Sequence, residues 1–302
     1  MREITLEELL EAGCHFGHQV TRSNPKARDF VFESRDNIQI IDLAKTKEGL
    51  EQAANYVKEL GQKGGRFLVV ATKRQAQGIV LEEITRAKDL LKSGASGKGD
   101  GLYYVTNRWI GGILTNLSEV SKNFKKLNDL KANLVSPEER AKYTKREVGL
   151  WEKEKQRLEV LYGGVSELKE KPDAMFIVDS HLEDLAVREA RNMGVTTVAV
   201  VDTNADPSII DYPIPANDDA VGSIKLIVSY IVDAWIEGRN EFEKRTQKEA
   251  EKAAKDSEPK TSTKEVKPAS KKEPEPKKEK APKASKPKTE KVKSKTAKSK
   301  KK

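Results

Sequence analysis

The chain has 302 residues, of which 36% are hydrophobic and 35% are charged, and its formal net charge is +9. No apolar run approaches the roughly 18–20 residues of a membrane helix, and the single cysteine, Cys14, excludes an internal disulfide. The N-terminal segment MREITLEELLEAG is acidic and amphipathic, unlike a signal peptide. We therefore expect a soluble cytoplasmic protein that has no membrane partner.

The positive charge is concentrated at the C-terminal end. Residues 243–302 contain 23 Lys+Arg and 10 Asp+Glu, which leaves residues 1–242 with a net charge of −4. Residues 1–172 carry a net charge of +5, whereas residues 173–242 carry −9. A last helix, capped by Asn217-Asp218, is predicted from Ala220 to about Gly238. Beyond it, repeated Lys, Pro, Ala and Ser bury too little apolar surface to offset the entropy of ordering, so 243–302 is predicted to be a disordered tail.

The N-terminal region combines one regular element with a basic stretch. Thr5 and Glu8 have the spacing of a capping box and predict a short helix that ends near Gly13. Residues 14–32 are rich in turn formers and are predicted to be irregular, and residues 38–41 are predicted to form the first strand. The irregular stretch carries three candidate RNA-binding residues, the basic Arg22, Lys26 and Arg28.

Alternating helix and strand patterns follow. Amphipathic helices are predicted at 46–60 and 76–91, and apolar strands at 66–71 and 103–105. A Gly-rich connection spans 93–101. The residues that follow the two strands include Lys73, Arg74, Arg108 and Trp109.

Residues 117–162 interrupt this alternation. Their apolar side chains recur every three or four residues in two segments, which predicts an antiparallel, coiled-coil helical hairpin. We interpret it as an insertion in an α/β domain made of residues 1–116 and 163–242. The part from 122 to 157 has a net charge of +5. Its candidate RNA-binding residues are Lys122, Lys125, Lys126, Lys145 and Arg146.

The clearest fold prediction comes from residues 172–206. Apolar runs at 174–178 and 195–201 flank a helical repeat, as in a parallel βαβ unit. Both strands are apolar throughout, which indicates helices on both faces of the sheet. We therefore predict an α/β fold with an open parallel sheet in a three-layer sandwich. Asp179 and Asp202 end the two strands, at the edge where such sheets bind ligands.

A small-ligand site has little support in the sequence. Neither GxGxxG nor GxxxxGK[ST] follows a strand, and no serine lies in GxSxG, so nucleotide binding and nucleophilic catalysis are disfavoured. Asp179 and Asp202 have an alternative interpretation as turn formers. No cofactor is expected, but a structural metal ion stays open because zinc is bound by such side chains. The weak candidates are His15, His18, Asp179 and Asp202.

Nucleic-acid binding has better support. Lys73, Arg74 and Arg108 are predicted at one edge of the sheet, where they would grip phosphates together, with Trp109 packing or stacking on a base. The basic hairpin fits an arm laid on RNA, and the Lys-rich tail would add salt-sensitive attraction. The competing interpretation is a scatter of solvated surface charges.

A family resemblance adds to this picture. Seven segments of this chain resemble, in the same order, motifs of the uS-two family, the universal second protein of the small ribosomal subunit, in its bacterial form. They are AGCHFGHQVTRSNPKARDFVF, IQIIDLAKT, FLVVATKRQA, VTNRWIGGILTN, PDAMFIVDSHLEDLAVREARNMGV, VAVVDTNADP and YPIPANDDAVGSI. The resemblance implies a flavodoxin-like (Rossmann-like) domain with a coiled-coil hairpin, bound to small-subunit rRNA. It also implies contact with neighbouring ribosomal proteins, including the large mRNA-binding ribosomal protein numbered one.

The resulting prediction is a structural constituent of the small ribosomal subunit that is neither an enzyme nor an obligate homo-oligomer. Two alternatives stay open: an α/β enzyme with a small-ligand site at the strand edge, and a free-standing RNA-binding regulator.

Overall fold

A computed structural model describes residues 2–92 and 101–256. The predicted Gly-rich connection, except for its last residue, and most of the predicted tail lie outside the described residues. The strands are β1 (Phe16–Gln19), β2 (Val31–Arg35), β3 (Ile38–Ile41), β4 (Phe67–Val70), β5 (Leu102–Val105), β6 (Ala174–Ile177), β7 (Thr196–Val201) and β8 (Tyr212–Pro215). The helices are α1 (Leu6–Glu11), α2 (Leu43–Gln62), α3 (Arg74–Lys92), α4 (Leu117–Val135), α5 (Pro137–Ala141), α6 (Lys145–Tyr162), α7 (Asp184–Met193) and α8 (Val221–Asp256).

The central element is a parallel sheet of five strands in the order β5-β4-β6-β7-β8. Every residue of β4 and β6 is buried, because helices cover both faces. Phe67 and Val69 point toward the core formed with α2, α3 and α8. Leu68 and Val70 point to the opposite core, which α4 and α7 help to close. The predicted α/β fold with a three-layer sandwich is confirmed.

The C-terminal helix is longer than predicted. α8 passes through Gly238, where the sequence predicted its end, and continues to Asp256, so disorder does not begin at 243. Gly238 lies against α2, where a Cβ would overlap the carbonyl oxygen of Lys58, and a Cβ on Gly61 would lie 3.1 Å from Gly238. Glycine at this position permits the close contact of two helices and does not end one.

The N-terminal region is more regular than predicted. β1, β2 and β3 form a separate antiparallel sheet in the order β1-β3-β2, so residues 14–32 are not irregular throughout and Ile38–Ile41 is not part of the parallel sheet. Asp36 and Asn37 connect β2 to β3 with φ values of 50° and 63°. A two-residue hairpin turn requires positive φ at both positions, which Asp and Asn tolerate. This pair was the overlooked hairpin signal.

The predicted helical hairpin is present. α4 begins at Leu117, α6 ends at Tyr162, and the short α5 lies between them. Phe124 of α4 packs edge-on against Tyr162 with ring centroids 5.5 Å apart, which joins the base of the hairpin to the core on that face. In the described part of the chain, no helix combines the length and apolar character needed to span a membrane.

Candidate functional site

The carboxyl ends of the parallel strands bring charged residues together at one edge of the sheet. Lys73 follows β4, Asp179 follows β6, Asp202 follows β7, and Asp218 and Asp219 follow β8. Parallel strands end at the same edge, so residues far apart in sequence become neighbours. The strand-end cluster consists of His18, Lys73, Asp179, Asp202, Asp218 and Asp219.

Lys73 is the central cation of the strand-end cluster. Its Nζ lies 2.7 Å from Asp218 Oδ1, 2.7 Å from Asp219 Oδ1 and 3.1 Å from Asp179 Oδ2. Burial lowers the pKa of the ammonium, but the hydrogen bonds to Asp218 and Asp219 outweigh it and raise the pKa above its ordinary value. Its side chain is only 14% exposed. Lys73 therefore binds carboxylates of the protein itself. It does not extend into solvent, as the predicted phosphate contact requires.

Asp179 and Asp202 act as turn formers, which was the alternative interpretation of both. Asp179 has a φ of 70°, and its Oδ1 accepts hydrogen bonds from the backbone N–H groups of His181 (3.1 Å) and Leu182 (2.9 Å). Asp202 Oδ1 accepts from the backbone N–H of Thr203. The second carboxylate oxygen of each aspartate contacts another member of the cluster: Asp179 Oδ2 contacts Lys73, and Asp202 Oδ2 contacts His18.

The N-terminal segment crosses the strand ends and places His18 in the strand-end cluster. The backbone N–H of His18 donates to Thr203 Oγ1 at 2.9 Å, which fixes β1 against the loop after β7. Its Nδ1 lies 3.1 Å from Asp202 Oδ2, and its Nε2 lies 3.6 Å from Asp219 Oδ2. The hydrogen bond to Asp202 raises the pKa of the imidazole above its ordinary value, despite the opposing effect of burial.

Asp218 is the least satisfied member of the cluster. It is 1% exposed, and its Oδ2 has no hydrogen-bond partner among the described residues. Burial, and then the negative charges of Asp179 and Asp202, raise the pKa of this carboxyl to about 7, although Lys73 acts in the opposite direction. The cluster therefore holds more negative charge than its one lysine balances.

Only one of the four weak metal candidates lies in a group suited to a metal ion. In the described part of the chain, ligand atoms of His18, Asp218 and Asp219 lie within 4.8 Å of one another. His15 lies elsewhere, with its ring 4.0 Å from that of Phe16, and burial lowers its pKa. Asp179 is directed to Lys73 and to its own turn. Asp202 contacts the Nδ1 atom of the His18 ring and is not part of this group.

Asp218 and Asp219 were missed at the sequence level because the segment after β8 was interpreted only as a helix cap. Asn217 is the residue that performs this role, since its Oδ1 accepts from the backbone N–H groups of Asp219 (2.8 Å) and Ala220 (3.1 Å). The overlooked signal was an acidic pair directly after a strand, at the edge where such sheets bind ligands.

Most of the predicted RNA-binding residues are exposed. Seven of them make no ion pair within residues 2–92 and 101–256: Arg22, Arg28, Arg74, Arg108, Lys125, Lys145 and Arg146. Three others are exposed but paired: Lys26 with Asp206, Lys122 with Glu119, and Lys126 with Glu154. Surface pairs contribute only about 0–1 kcal/mol, so a phosphate can replace the carboxylate at little cost.

Trp109 is buried, which agrees with packing, one of the two roles predicted for it, and not with stacking on a base. It is 7% exposed, and its Nε1 lies 3.4 Å from Glu189 Oε1. Glu189 also accepts from the backbone N–H groups of Gly112 (2.7 Å), Leu114 (3.1 Å) and Thr115 (3.3 Å). This buried glutamate organises the loop after β5. Its position on the apolar face of a predicted helix was the available signal.

Arg74 and Arg108 are the basic pair that remains at the strand ends. Arg74 begins α3 after β4, Arg108 lies in the loop after β5, and these two strands are neighbours. The carboxylates of the strand-end cluster follow β6, β7 and β8, the three strands that lie beyond β4 in the sheet. The edge is therefore basic at β5 and β4 and acidic toward β8, in agreement with the charge asymmetry of the sequence.

A model of the family described as ribosomal protein S2 matches residues 9–238. The match spans both sheets, the helical hairpin and α8 up to Gly238. The chain belongs to the ribosomal protein S2 family. Proteins of this family are structural, non-enzymatic components of the small ribosomal subunit, so the chain is a ribonucleoprotein component that takes part in translation. Its charged strand edge is therefore best considered as a surface of a ribosomal protein.

Proposed function

We propose that the chain binds small-subunit rRNA through exposed basic side chains at the β4–β5 edge and on the hairpin. The observation that carries this proposal is that Arg74 and Arg108 are exposed at neighbouring strand ends without an acidic partner in the described residues. Lys73, beside them, is neutralised by three aspartates. Unpaired basic groups are what a phosphate backbone recognises, and such contacts position a protein without reading sequence.

The helical hairpin extends this surface. Lys125 is exposed on α4, and Lys145 and Arg146 are exposed at the start of α6, next to the turn that joins the two helices. The hairpin is a firm support because Phe124 and Leu127 of α4 are buried in the adjoining core. A rigid arm loses little entropy when it is placed on RNA.

The RNA proposal is tested by reversing charge at two matched pairs of positions. Arg74→Glu with Arg108→Glu changes the β4–β5 edge, and Lys63→Glu with Arg191→Glu makes the same charge change at exposed sites near the opposite ends of the strands. Binding of the purified chain to small-subunit rRNA is measured over a range of salt. We expect the first pair to lower the salt slope by about two, roughly one for each lost phosphate contact, and the control pair to change it little.

Incorporation into subunits distinguishes the remaining alternatives. We expect the chain to sediment with small subunits at moderate salt, and the Arg74→Glu, Arg108→Glu variant to incorporate less than the control. An enzyme or a free regulator would sediment mostly away from subunits. Equal loss in both variants would show that net charge alone, and not the β4–β5 edge, governs binding.

A second surface is suited to neighbouring proteins. Leu6 and Leu10 lie one turn apart on α1 and are 48% and 53% exposed. We propose that a small-subunit protein packs here, with the large mRNA-binding ribosomal protein numbered one as the expected occupant. Leu6→Ser with Leu10→Ser should reduce the amount of that protein on isolated subunits, whereas Leu150→Ser, at a 58% exposed site on the hairpin, should not. An unchanged amount in the α1 variant would exclude this surface.

A further inference from the structure

We propose that Glu189 positions Arg108 for its contact with rRNA by holding the loop after β5 in one conformation. This inference rests on the proposed function, because Arg108 is one of the two arginines at the β4–β5 edge. Glu189 lies on α7 and acts through the loop, without touching RNA itself. The carboxylate-bound loop consists of residues 109–115, between Arg108 and the start of α4 at Leu117.

The carboxylate of Glu189 accepts hydrogen bonds along the whole length of this loop. Its Oε1 lies 2.7 Å from the backbone nitrogen of Gly112 and 3.4 Å from Trp109 Nε1. Its Oε2 lies 3.1 Å from the backbone nitrogen of Leu114. The same oxygen lies 3.3 Å from both the backbone nitrogen and the hydroxyl of Thr115. Hydrogen bonds to a charged acceptor are roughly twice as strong as neutral ones, so one side chain fixes the middle and both ends of the loop.

The sequence of the loop explains why it needs such a partner. Gly111 and Gly112 are consecutive, and Gly112 has a φ of 97°, which side chains other than glycine rarely adopt. Glycine loses more conformational freedom on ordering than any other residue. Without the carboxylate, the N–H groups of the loop would bind water instead, and the loop would be as mobile as most surface connections.

Arg108 has a fixed backbone on both sides while its own side chain stays exposed. Trp109, which follows it, is buried and bonded to Glu189. Asn107, which precedes it, donates from Nδ2 to the carbonyl oxygen of Val160 in the last turn of α6, at 3.0 Å. Arg108 makes no ion pair within the described residues. A basic side chain on a fixed backbone loses less entropy when it binds a phosphate than one on a mobile loop.

The burial of Glu189 distinguishes it from an ordinary surface acid. It is 5% exposed, and no ion pair joins it to a basic side chain in the described part of the chain. A buried carboxylate costs free energy unless several donors satisfy it, as the loop does here. An apolar side chain could fill the same space without that cost, but it could not bind the N–H groups. The distinct contribution of the carboxylate is therefore the conformation of the loop.

The helical hairpin has support of its own. Phe124 and Leu127 of α4 are buried in the adjoining core, and Phe124 packs edge-on against Tyr162. Loss of the Glu189 hydrogen bonds should therefore displace Arg108 more than it displaces the hairpin.

Positioning and net charge predict opposite signs for one substitution. Glu189→Gln keeps the shape of the side chain, but it replaces an acceptor oxygen by an NH₂ donor that faces the N–H groups of the loop. It also removes a negative charge, which by itself favours association with a polyanion. A loss of RNA affinity in this variant would therefore come from the altered loop and not from the change in net charge.

The test measures binding of the full-length chain to small-subunit rRNA over a range of salt. Asp211→Asn is the matched control, since Asp211 accepts from the backbone N–H (2.8 Å) and the hydroxyl (2.9 Å) of Thr197 near the opposite ends of the strands. We expect Glu189→Gln to weaken binding by about 3–10-fold, because Arg108 must then be ordered on the RNA. The salt slope should fall by no more than about one, the contribution of Arg108. Asp211→Asn should bind as the unaltered chain does, or slightly more tightly.

A double-mutant cycle assigns the effect to Arg108. Arg108→Gln alone should weaken binding and lower the salt slope by about one. Adding Glu189→Gln to it should weaken binding by less than about 2-fold more, because the two residues act through one contact. Three results would overturn the proposal: unchanged or tighter binding by Glu189→Gln, a slope lowered by more than about one, or an undiminished loss in the Arg108→Gln background.

Circular dichroism checks that each variant is folded. If Glu189→Gln unfolds, Thr115→Val decides the outcome, because it removes only the hydroxyl donor to Oε2 from a residue outside the core. This variant should weaken binding by about 2-fold, and unchanged binding would overturn the proposal. Full affinity in Arg108→Gln would refute the proposed rRNA contact of Arg108 itself. Full affinity in Glu189→Gln beside a weakened Arg108→Gln would refute only the role of Glu189.

Discussion

The strand-end cluster and the helical hairpin are both rich in charge, but the fold uses their charges differently. Lys73 in the cluster is 14% exposed and contacts three aspartates from two segments, one after β6 and one after β8. Lys126 on the hairpin is 54% exposed, and its one ion pair among the described residues is with Glu154 on the facing helix. The comparison shows that a basic residue is available to RNA only if the folded chain does not surround it with carboxylates. The residues next to it in the sequence do not reveal this.

Removal of Lys73 should have the largest effect. Lys73→Met leaves Asp179, Asp218 and Asp219 without their cation, and breaking a buried ion pair in this way typically costs about 3–5 kcal/mol. We expect a loss of this size in the free energy of unfolding, measured by urea denaturation in the presence of a chelator. The matched change Lys126→Met on the hairpin should cost less than about 1 kcal/mol. Similar losses in both variants would refute the contrast between the two regions.

Substitution of glycine by alanine compares the packing of the α/β domain with that of the hairpin without a change of charge. A Cβ on Gly238 of α8 would overlap the carbonyl oxygen of Lys58 on α2. Overpacking between two well-packed helices costs about 1–3 kcal/mol, so Gly238→Ala should lower the midpoint of urea unfolding. An unchanged midpoint would mean that α2 and α8 can separate slightly at little cost.

The opposite sign is expected on the hairpin. A Cβ on Gly149 of α6 would lie in open space, with no atom within 4 Å apart from its chain neighbours and the nearby backbone of its own helix. Alanine there restricts the unfolded chain and favours the helix, so Gly149→Ala should stabilise by about 0.5–1 kcal/mol. The readout is the urea midpoint followed by helical circular dichroism. A decrease would contradict the prediction, since it would mean that alanine at this position does not favour the folded α6.

The sequence was sufficient for the main architecture because its signals are local. Long apolar runs and helical periodicity predicted the parallel sheet, the covering helices and the hairpin. Two errors had different causes, one tertiary and one local. Gly238 has the sequence appearance of a helix end, but its function depends on the contact with α2. The Asp36-Asn37 turn pairs β2 with β3, and its hairpin signal was hidden among other turn-forming residues.

The site was less predictable, since it depends on which side chains meet. Arg74 and Arg108 were placed correctly from the rule that parallel strands end at one edge. The same rule placed Lys73 at this edge, but it did not show that Lys73 is unavailable to phosphate. Asp218 and Asp219, which follow β8, lie 2.7 Å from its Nζ. Trp109 is an aromatic residue next to the basic Arg108, a pattern that fits RNA stacking as well as packing. Its exposure of 7% shows that it is buried, and the hydrogen bonds of Glu189 hold its loop.

The smallest effect should come from the ion pair between Lys126 and Glu154 across the hairpin. Both side chains are about half exposed, at 54% and 43%, so water and salt screen the pair. A double-mutant cycle with Lys126→Ala and Glu154→Ala should give a coupling energy of about 0.2–1 kcal/mol that decreases with added salt. Lys131 and Glu159, 3.0 Å apart on the same two helices, provide a second cycle with the same expectation. A coupling above about 2 kcal/mol, or one insensitive to salt, would mean that the hairpin shields its charges as the strand-end cluster does, and its lysines would then be poor candidates for binding phosphate.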